Sequence, residues 1–207
     1  MEEFNKNQFA NPIGEEGERL TTHMNNHHKE LTEWGLDNLN ICCSDVALDI
    51  GCGGGLTISM LGKYARFVKG VDISPVSVKA TKNFNYEMYN SGRLEVVEAD
   101  ASNLPFDNNQ FDIITAVETV YFWHDILACF HEIHRVLKKG GTFSLIVETY
   151  ACEERREYND SLKALFDVNF NIYSPEQLEI YLKDCGFSDV FVMMHPTNYW
   201  LTIYATK

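Results

Sequence analysis

The stretch Val46-Ala47-Leu48-Asp49-Ile50-Gly51-Cys52-Gly53-Gly54-Gly55 decides the reading of this 207-residue chain. An apolar run carrying one carboxylate ends in glycines at alternate positions. Val46–Ile50 reads as a buried strand of a parallel sheet. Glycines directly after such a strand let the backbone turn sharply and come close to a ligand. Leu56 to Leu61 then reads as the opening of a helix whose N-terminus faces the same ligand. The segment predicts a nucleotide-type cofactor site at the end of a first strand.

The glycine spacing narrows the cofactor. The dinucleotide fingerprint is G-x-G-x-x-G, its third glycine lying where strand and helix pack closely. Gly51 and Gly53 fit, but the third position holds Leu56. The pattern is instead Asp49-x-Gly51-x-Gly53-x-Gly55. Further along, Phe67-Val68-Lys69-Gly70-Val71-Asp72-Ile73-Ser74 reads as a second strand ending in an acid, 17 positions past Gly55. A carboxylate there can accept both hydroxyls of a ribose. Leu94-Glu95-Val96-Val97-Glu98-Ala99-Asp100-Ala101 reads as a third strand ending in Asp100. Leu104-Pro105-Phe106 precedes a fourth, Asp112–Val117, within Gln110-Phe111-Asp112-Ile113-Ile114-Thr115-Ala116-Val117-Glu118.

Together with Glu132-Ile133-His134-Arg135-Val136-Leu137-Lys138-Lys139-Gly140-Gly141, these motifs resemble the class I S-adenosylmethionine (SAM) methyltransferases. The likeness is to the ubiquinone/menaquinone-biosynthesis group and spans roughly residues 44 to 150. It implies SAM as cofactor, S-adenosylhomocysteine as product, and a small-molecule acceptor methylated at carbon, nitrogen, oxygen or sulfur. It implies a Rossmann-like, doubly wound α/β fold. The seven-stranded sheet is mostly parallel, with an antiparallel C-terminal hairpin at its edge. The cofactor-binding set follows from the motifs. Asp49, Gly51, Cys52, Gly53 and Gly55 come from the first turn, and Asp72, Ile73 and Ser74 from the second strand end. Asp100 pairs with the adenine amino group, and the Ala101 amide with a ring nitrogen. Val117 and Glu118 end the fourth strand, and Met24 comes from a lid.

Length and composition set bounds. The chain suits one domain, and 45% hydrophobic residues suffice for a full core. The formal net charge of −13 opposes phosphate backbones, so no nucleic acid is expected as a partner. No apolar run approaches the roughly 20 residues of a membrane span. The acidic opening Met1-Glu2-Glu3 is unlike a signal peptide. Six cysteines without a C-x-x-C pair fit free thiols and a cytoplasmic protein. A monomer or homodimer is expected, since an edge hairpin offers a pairing surface.

Along the chain, residues 1–43 read as an arm and helical lid. The arm is loose to about residue 19, and a helix runs over Met24–Leu39. Residues 44–149 form the SAM-binding core. Residues 150–173, with Leu162, Leu165, Phe166, Val168, Phe170 and Ile172, read as a cap over the substrate. Residues 174–207 give a helix opened by a Ser174/Gln177 capping box, then two strands, Val190–Met194 and Trp200–Thr206.

Ligands of open parallel sheets lie beyond the carboxyl ends of the strands, where the strand order reverses. The segment Glu118 to His124 therefore borders the reacting group. His124 and Tyr121 are the catalytic candidates, and Phe122 and Trp123 wall an acceptor pocket. Imidazole is the side chain whose unperturbed range suits a base at neutral pH. Glu118 orients the cofactor's amino group or acts as base. Among His23, His27 and His28, His23 and His27 are four apart, a spacing that can bind metal, but no obvious carboxylate or cysteine partner completes a site. They read as a solvated helix face, with no metal. His131 and His134 read as surface or packing residues. Three other readings compete: a non-catalytic SAM-binding module, an NAD-dependent oxidoreductase disfavoured by Leu56, and arsenite methylation through Cys42-Cys43, for which the cysteine spacing gives no support.

Overall fold

A computed structural model describes residues 4–166 and 170–207; Val168, read above as part of the cap, lies outside the described residues. Two helices come first, α1 (Gly14–His27) and α2 (Lys29–Leu36). Strands and helices then alternate: β1 (Val46–Ile50), α3 (Leu56–Leu61), β2 (Phe67–Asp72), α4 (Pro75–Phe84), α5 (Tyr86–Asn90), β3 (Leu94–Glu98), β4 (Phe111–Val117), α6 (Ile126–Val136) and β5 (Leu137–Val147). The chain continues with α7 (Arg156–Lys163), α8 (Pro175–Asp184), β6 (Ser188–Met194) and β7 (Leu201–Thr206).

The strands form one sheet in the order β3-β2-β1-β4-β5-β7-β6. β1 pairs in parallel with both β2 and β4, so the strand order reverses between them. β7 runs antiparallel between β5 and β6, leaving β6 at the edge. This is the doubly wound, mostly parallel sheet with an antiparallel edge hairpin that the motifs imply. Its centre is apolar on both faces, as covered parallel strands require. Leu48, Ile50 and Ile114 pack in one cluster with Phe130 and Ile133 of α6 and with Leu178 and Leu182 of α8. Ala47 and Val68 pack in a second cluster with Ile58 and Leu61 of α3.

Local chemistry sets the helix starts. Ser74 caps α4, its Oγ accepting from the amides of Val76 and Ser77 ahead of Pro75 at the first position. Asp125 caps α6 through the Ala128 amide. The capping box at α8 is present in both directions.

Two elements differ most from the sequence expectation. The first helix begins at Gly14 rather than Met24, because Gly14 turns with φ +61° and Glu15 and Glu16 favour the positive end of a helix. It also breaks at His28, whose φ of −90° and ψ of 7° leave the helical region. β5 starts at Leu137, five residues before the expected Thr142, with a register irregularity opposite Phe111–Ile113. Among the described residues, no helix is long and apolar enough to cross a membrane.

Candidate active site

The carboxyl ends of β1 to β4 border a cavity of about 310 Å³ at the reversal point. Gly51 and Gly53 come from the turn after β1, Asp72 and Ile73 from the end of β2, and Asp100 and Ala101 from beyond β3. Val117, Glu118 and Thr119 enter from β4. Residues 9–12 and Met24 cover the opening. The arm is pinned there by Ser74 Oγ, which donates to the Pro12 carbonyl.

The turn needs its glycines. Gly51 has φ +69°, and a Cβ there would lie 2.3 Å from Thr119 Oγ1. Gly53 directs its amide to Asp72 Oδ2 at 2.8 Å, and the Ser74 amide donates to Asp72 Oδ1 at 2.9 Å. Burial raises the pKa of the Asp72 carboxyl against these two bonds. Each oxygen keeps a lone pair for a further donor. Asp100 accepts from the Ser102 amide and hydroxyl on Oδ1 alone, so Oδ2 is open to a ligand.

Glu118 sits at the end of β4 in the left-handed region, with φ +57°. A non-glycine residue there is uncommon, and such strain concentrates at functional sites. Its Oε1 accepts from the Glu148 amide and from Tyr121 Oη. Its Oε2 lies 3.9 Å from His28 Nε2. Burial, and then the charge of Glu148, push the Glu118 pKa well above the usual carboxylate range.

A second cavity, of about 220 Å³, shares Phe9, Met24, Glu118 and Phe122 with the first. Its wall holds Tyr121, Phe166 and Phe170 opposite His27, His28 and Glu148. The Phe166 and Phe170 rings stack with centroids 4.2 Å apart and planes 8° from parallel. Phe170 also stacks on Tyr121 at 5.0 Å. The strand-end carboxylates Asp72 and Asp100 thus line the first cavity, the stacked rings of Phe166 and Phe170 line the second, and Glu118 borders both.

The structure gathers nine of the cofactor candidates around the first cavity: Gly51, Gly53, Asp72, Ile73, Asp100, Ala101, Val117, Glu118 and Met24. Four others fall elsewhere. Asp49 is buried in β1, where Thr115 Oγ1 donates to it at 2.7 Å and burial raises its pKa to about 7. Ser74 is fully buried and spends its hydroxyl on the Pro12 carbonyl and the cap of α4. Gly55 turns with φ +87° at the start of α3, and its carbonyl accepts from Asn85 Nδ2. Cys52 borders a smaller space of about 40 Å³ behind the turn.

The two catalytic candidates part company. His124 is exposed and lines the first cavity only. Tyr121 is 3% exposed, and its oxygen accepts the Thr149 amide at 3.1 Å. Its single proton serves the Thr149 carbonyl or Glu118. Burial, and then Glu118, raise its phenol pKa, and its oxygen bridges the Thr149 backbone and Glu118.

The histidines of α1 correct a further expectation. His27 is 58% exposed, but the His28 side chain is only 15% exposed. Burial, helped by His27 and His23, lowers the His28 pKa to about 3. A carboxylate also stands near: Glu148 Oε2 lies 3.4 Å from His27 Nε2. The sequence offered the His23/His27 spacing as a signal but neither the inward turn of His28 nor Glu148, which arrives from the end of β5.

Comparison with known proteins agrees with this geometry. Residues 48–145 match the model of the methyltransferase domain family. The 2-phytyl-1,4-naphtoquinone methyltransferase of Nostoc punctiforme is 32% identical over 132 residues, 62% of this chain and 55% of that protein. The chain spans between 29% and 55% of the length of the first curated relatives it matches. A chain from the complex between the Haloferax volcanii Trm112 methyltransferase activator and a methyltransferase superposes with a TM-score of 0.83. It is 18% identical, with 100% of this chain and 99% of that one covered. Geranyl diphosphate C-methyltransferase from Streptomyces coelicolor, solved with Mg2+, geranyl diphosphate and S-adenosylhomocysteine, gives a TM-score of 0.77. It is 17% identical, over 94% of this chain and 84% of that one. At such identities these structures share the fold.

Proposed function

We propose that this protein, whose residues 48–145 match a methyltransferase domain family, transfers a methyl group from SAM to a small aromatic acceptor. One observation carries the proposal: Glu118 lines both cavities, at the point where the strand order reverses. The first cavity, with Asp72 and Asp100, takes the cofactor, and the second, with Phe166 and Phe170, takes the acceptor.

The residues suit SAM. Asp72 has lone pairs left for ribose hydroxyls, and Asp100 Oδ2 is open to an adenine amino group. Gly53 turns with φ +50° and has nothing nearer than 4.0 Å to the place of a Cβ, so a ligand can approach the backbone. Bound there, SAM supplies a methyl group already made electrophilic by its sulfonium.

The chain's own part is alignment, dryness and one proton. Phe9, Pro12 and Met24 shield the first cavity from water. The rings of Phe9, Phe122, Phe166 and Phe170 line the second cavity and suit a flat ring, since aromatic groups pack favourably on one another. The naphthoquinone named for the Nostoc relative is such a ring. Glu118, held by Tyr121 and the Glu148 amide, is placed to take a proton from an acceptor hydroxyl. Burial raises its pKa above the ordinary carboxylate value, which makes its ionised form a stronger base.

Calorimetric titration with SAM, S-adenosylhomocysteine and NAD, each alone, tests the cofactor. Micromolar SAM binding with no NAD binding is the expected result. Transfer of labelled methyl to a panel of hydroxylated ring compounds then tests the acceptor class. NAD binding without SAM binding overturns the proposal.

A further inference from the structure

The wall of the second cavity brings together side chains that methyl transfer from SAM does not require. His27, His28 and Glu148 each offer one donor atom, and the three atoms lie within 4.8 Å of one another. His27 Nε2 and Glu148 Oε2 are 3.4 Å apart. That is about the edge of a tetrahedron around a metal with ~2.1 Å bonds to nitrogen and oxygen. Two imidazoles and one carboxylate are also a set that holds zinc with a fourth position open.

The backbone explains how two neighbouring histidines serve one centre. On an unbroken helix, adjacent side chains diverge by roughly 100°. Here α1 ends at His27, and His28 leaves the helical region before α2 begins. The rings therefore meet, with centroids 5.0 Å apart. Charge points the same way. Glu118 and Glu148 both line this cavity, and the basic side chains within 4.0 Å of them among the described residues are His28 and His27. Lys6 lines it too, but its ammonium sits over the Phe9 ring, 5.4 Å from the centroid. His27 and Glu148 are partly exposed, at 58% and 37%, so an ion can enter from solvent.

We propose that His27, His28 and Glu148 bind a zinc-class divalent transition metal at the wall of the acceptor cavity. Glu118 Oε2, 3.9 Å from His28 Nε2, stands beside the fourth position. An acceptor bearing oxygen or sulfur can reach the same position. The site is separate from the cofactor cavity and stands whether or not SAM binds.

The test strips the whole chain with chelator, titrates it with Zn2+ by calorimetry, and follows Co2+ by its visible ligand-field bands. One equivalent is expected, with a four-coordinate Co2+ spectrum. His27→Ala and Glu148→Gln should each weaken binding by at least ~100-fold, since losing even an outer-shell partner costs 10–100-fold. Both side chains are partly exposed, and unchanged circular dichroism checks that the variants fold. A Cys42→Ser/Cys43→Ser variant removes the exposed thiols, which are rival ligands, and should bind as wild type. No binding by wild type, wild-type binding by both ligand variants, or loss of binding in the cysteine variant overturns the site. SAM titration of the metal-free protein reads the cofactor proposal separately, so either can fail alone.

Discussion

The carboxylate of Asp72, at the end of β2, accepts the backbone amide of Gly53 in the turn after β1, 2.8 Å away. Two strand ends are thereby locked to one another at the floor of the first cavity. Asp72→Ala should weaken SAM binding by ~2 kcal/mol or more, about 30-fold, the scale of a lost charge-assisted hydrogen bond. Asp72→Asn preserves shape and should lose part of this. Calorimetry on folded variants decides, and unchanged affinity removes Asp72 from the site.

Gly51→Ala combines two faults. The left-handed conformation costs a side chain about 1–2 kcal/mol, and the new Cβ collides with Thr119. With roughly 2–4 °C lost per kcal/mol in a protein of this size, the thermal midpoint should fall by about 5 °C or more. SAM affinity should fall with it, because Thr119 lines the cavity. A midpoint unchanged within 1 °C or so would show that the turn relaxes.

Tyr121→Phe tests the bridge between Glu118 and the Thr149 backbone. It removes the acceptor of the buried Thr149 amide and one partner of Glu118. An orphaned buried group costs about 1–3 kcal/mol, so the midpoint should drop on the order of 5 °C. Methyl transfer should survive. Loss of activity with stability intact would return the phenol to the chemistry.

Asp49 gives a pH signature. Its folded pKa is raised to about 7, from an ordinary 3.8, so the folded state holds a proton that the unfolded state has already released. Its contribution to stability is complete below about pH 4 and is lost as pH rises to 7, by ~1.4 kcal/mol per unit. Asp49→Asn keeps the shape without titrating. Its stability relative to wild type should therefore rise from pH 4 to 7 and level off above. Denaturant unfolding of cofactor-free protein measures this, and a difference that stays flat across the range rejects the shift.

Half of the site was legible because it is local. Gly51, Asp72, Asp100 and Glu118 each follow a short apolar run, and a parallel strand buried on both faces looks like such a run. The other half is assembled across the chain. Phe9, His28, Glu148 and Phe170 come from four segments with no shared pattern, and only packing brings them around one cavity. The break at His28 carries no glycine or proline to announce it. Leu137–Gly141 ends a helical pattern and holds two glycines, so the early start of β5 was hidden as a turn. Proximity to Glu118 in sequence favoured His124, whereas the structure puts His28 beside that carboxylate.

Gly35 in α2 packs so closely on β5 that a Cβ would meet Ile146 at 2.6 Å. Tyr204 of β7 donates to the Gly35 carbonyl across 169 positions of chain. During synthesis, α2 therefore has nowhere to settle until both strands have left the ribosome. One of the first helices to be made is thus seated by one of the last strands. A chain cut short before β7 would leave α2 without its carbonyl partner and its close-packed face without cover.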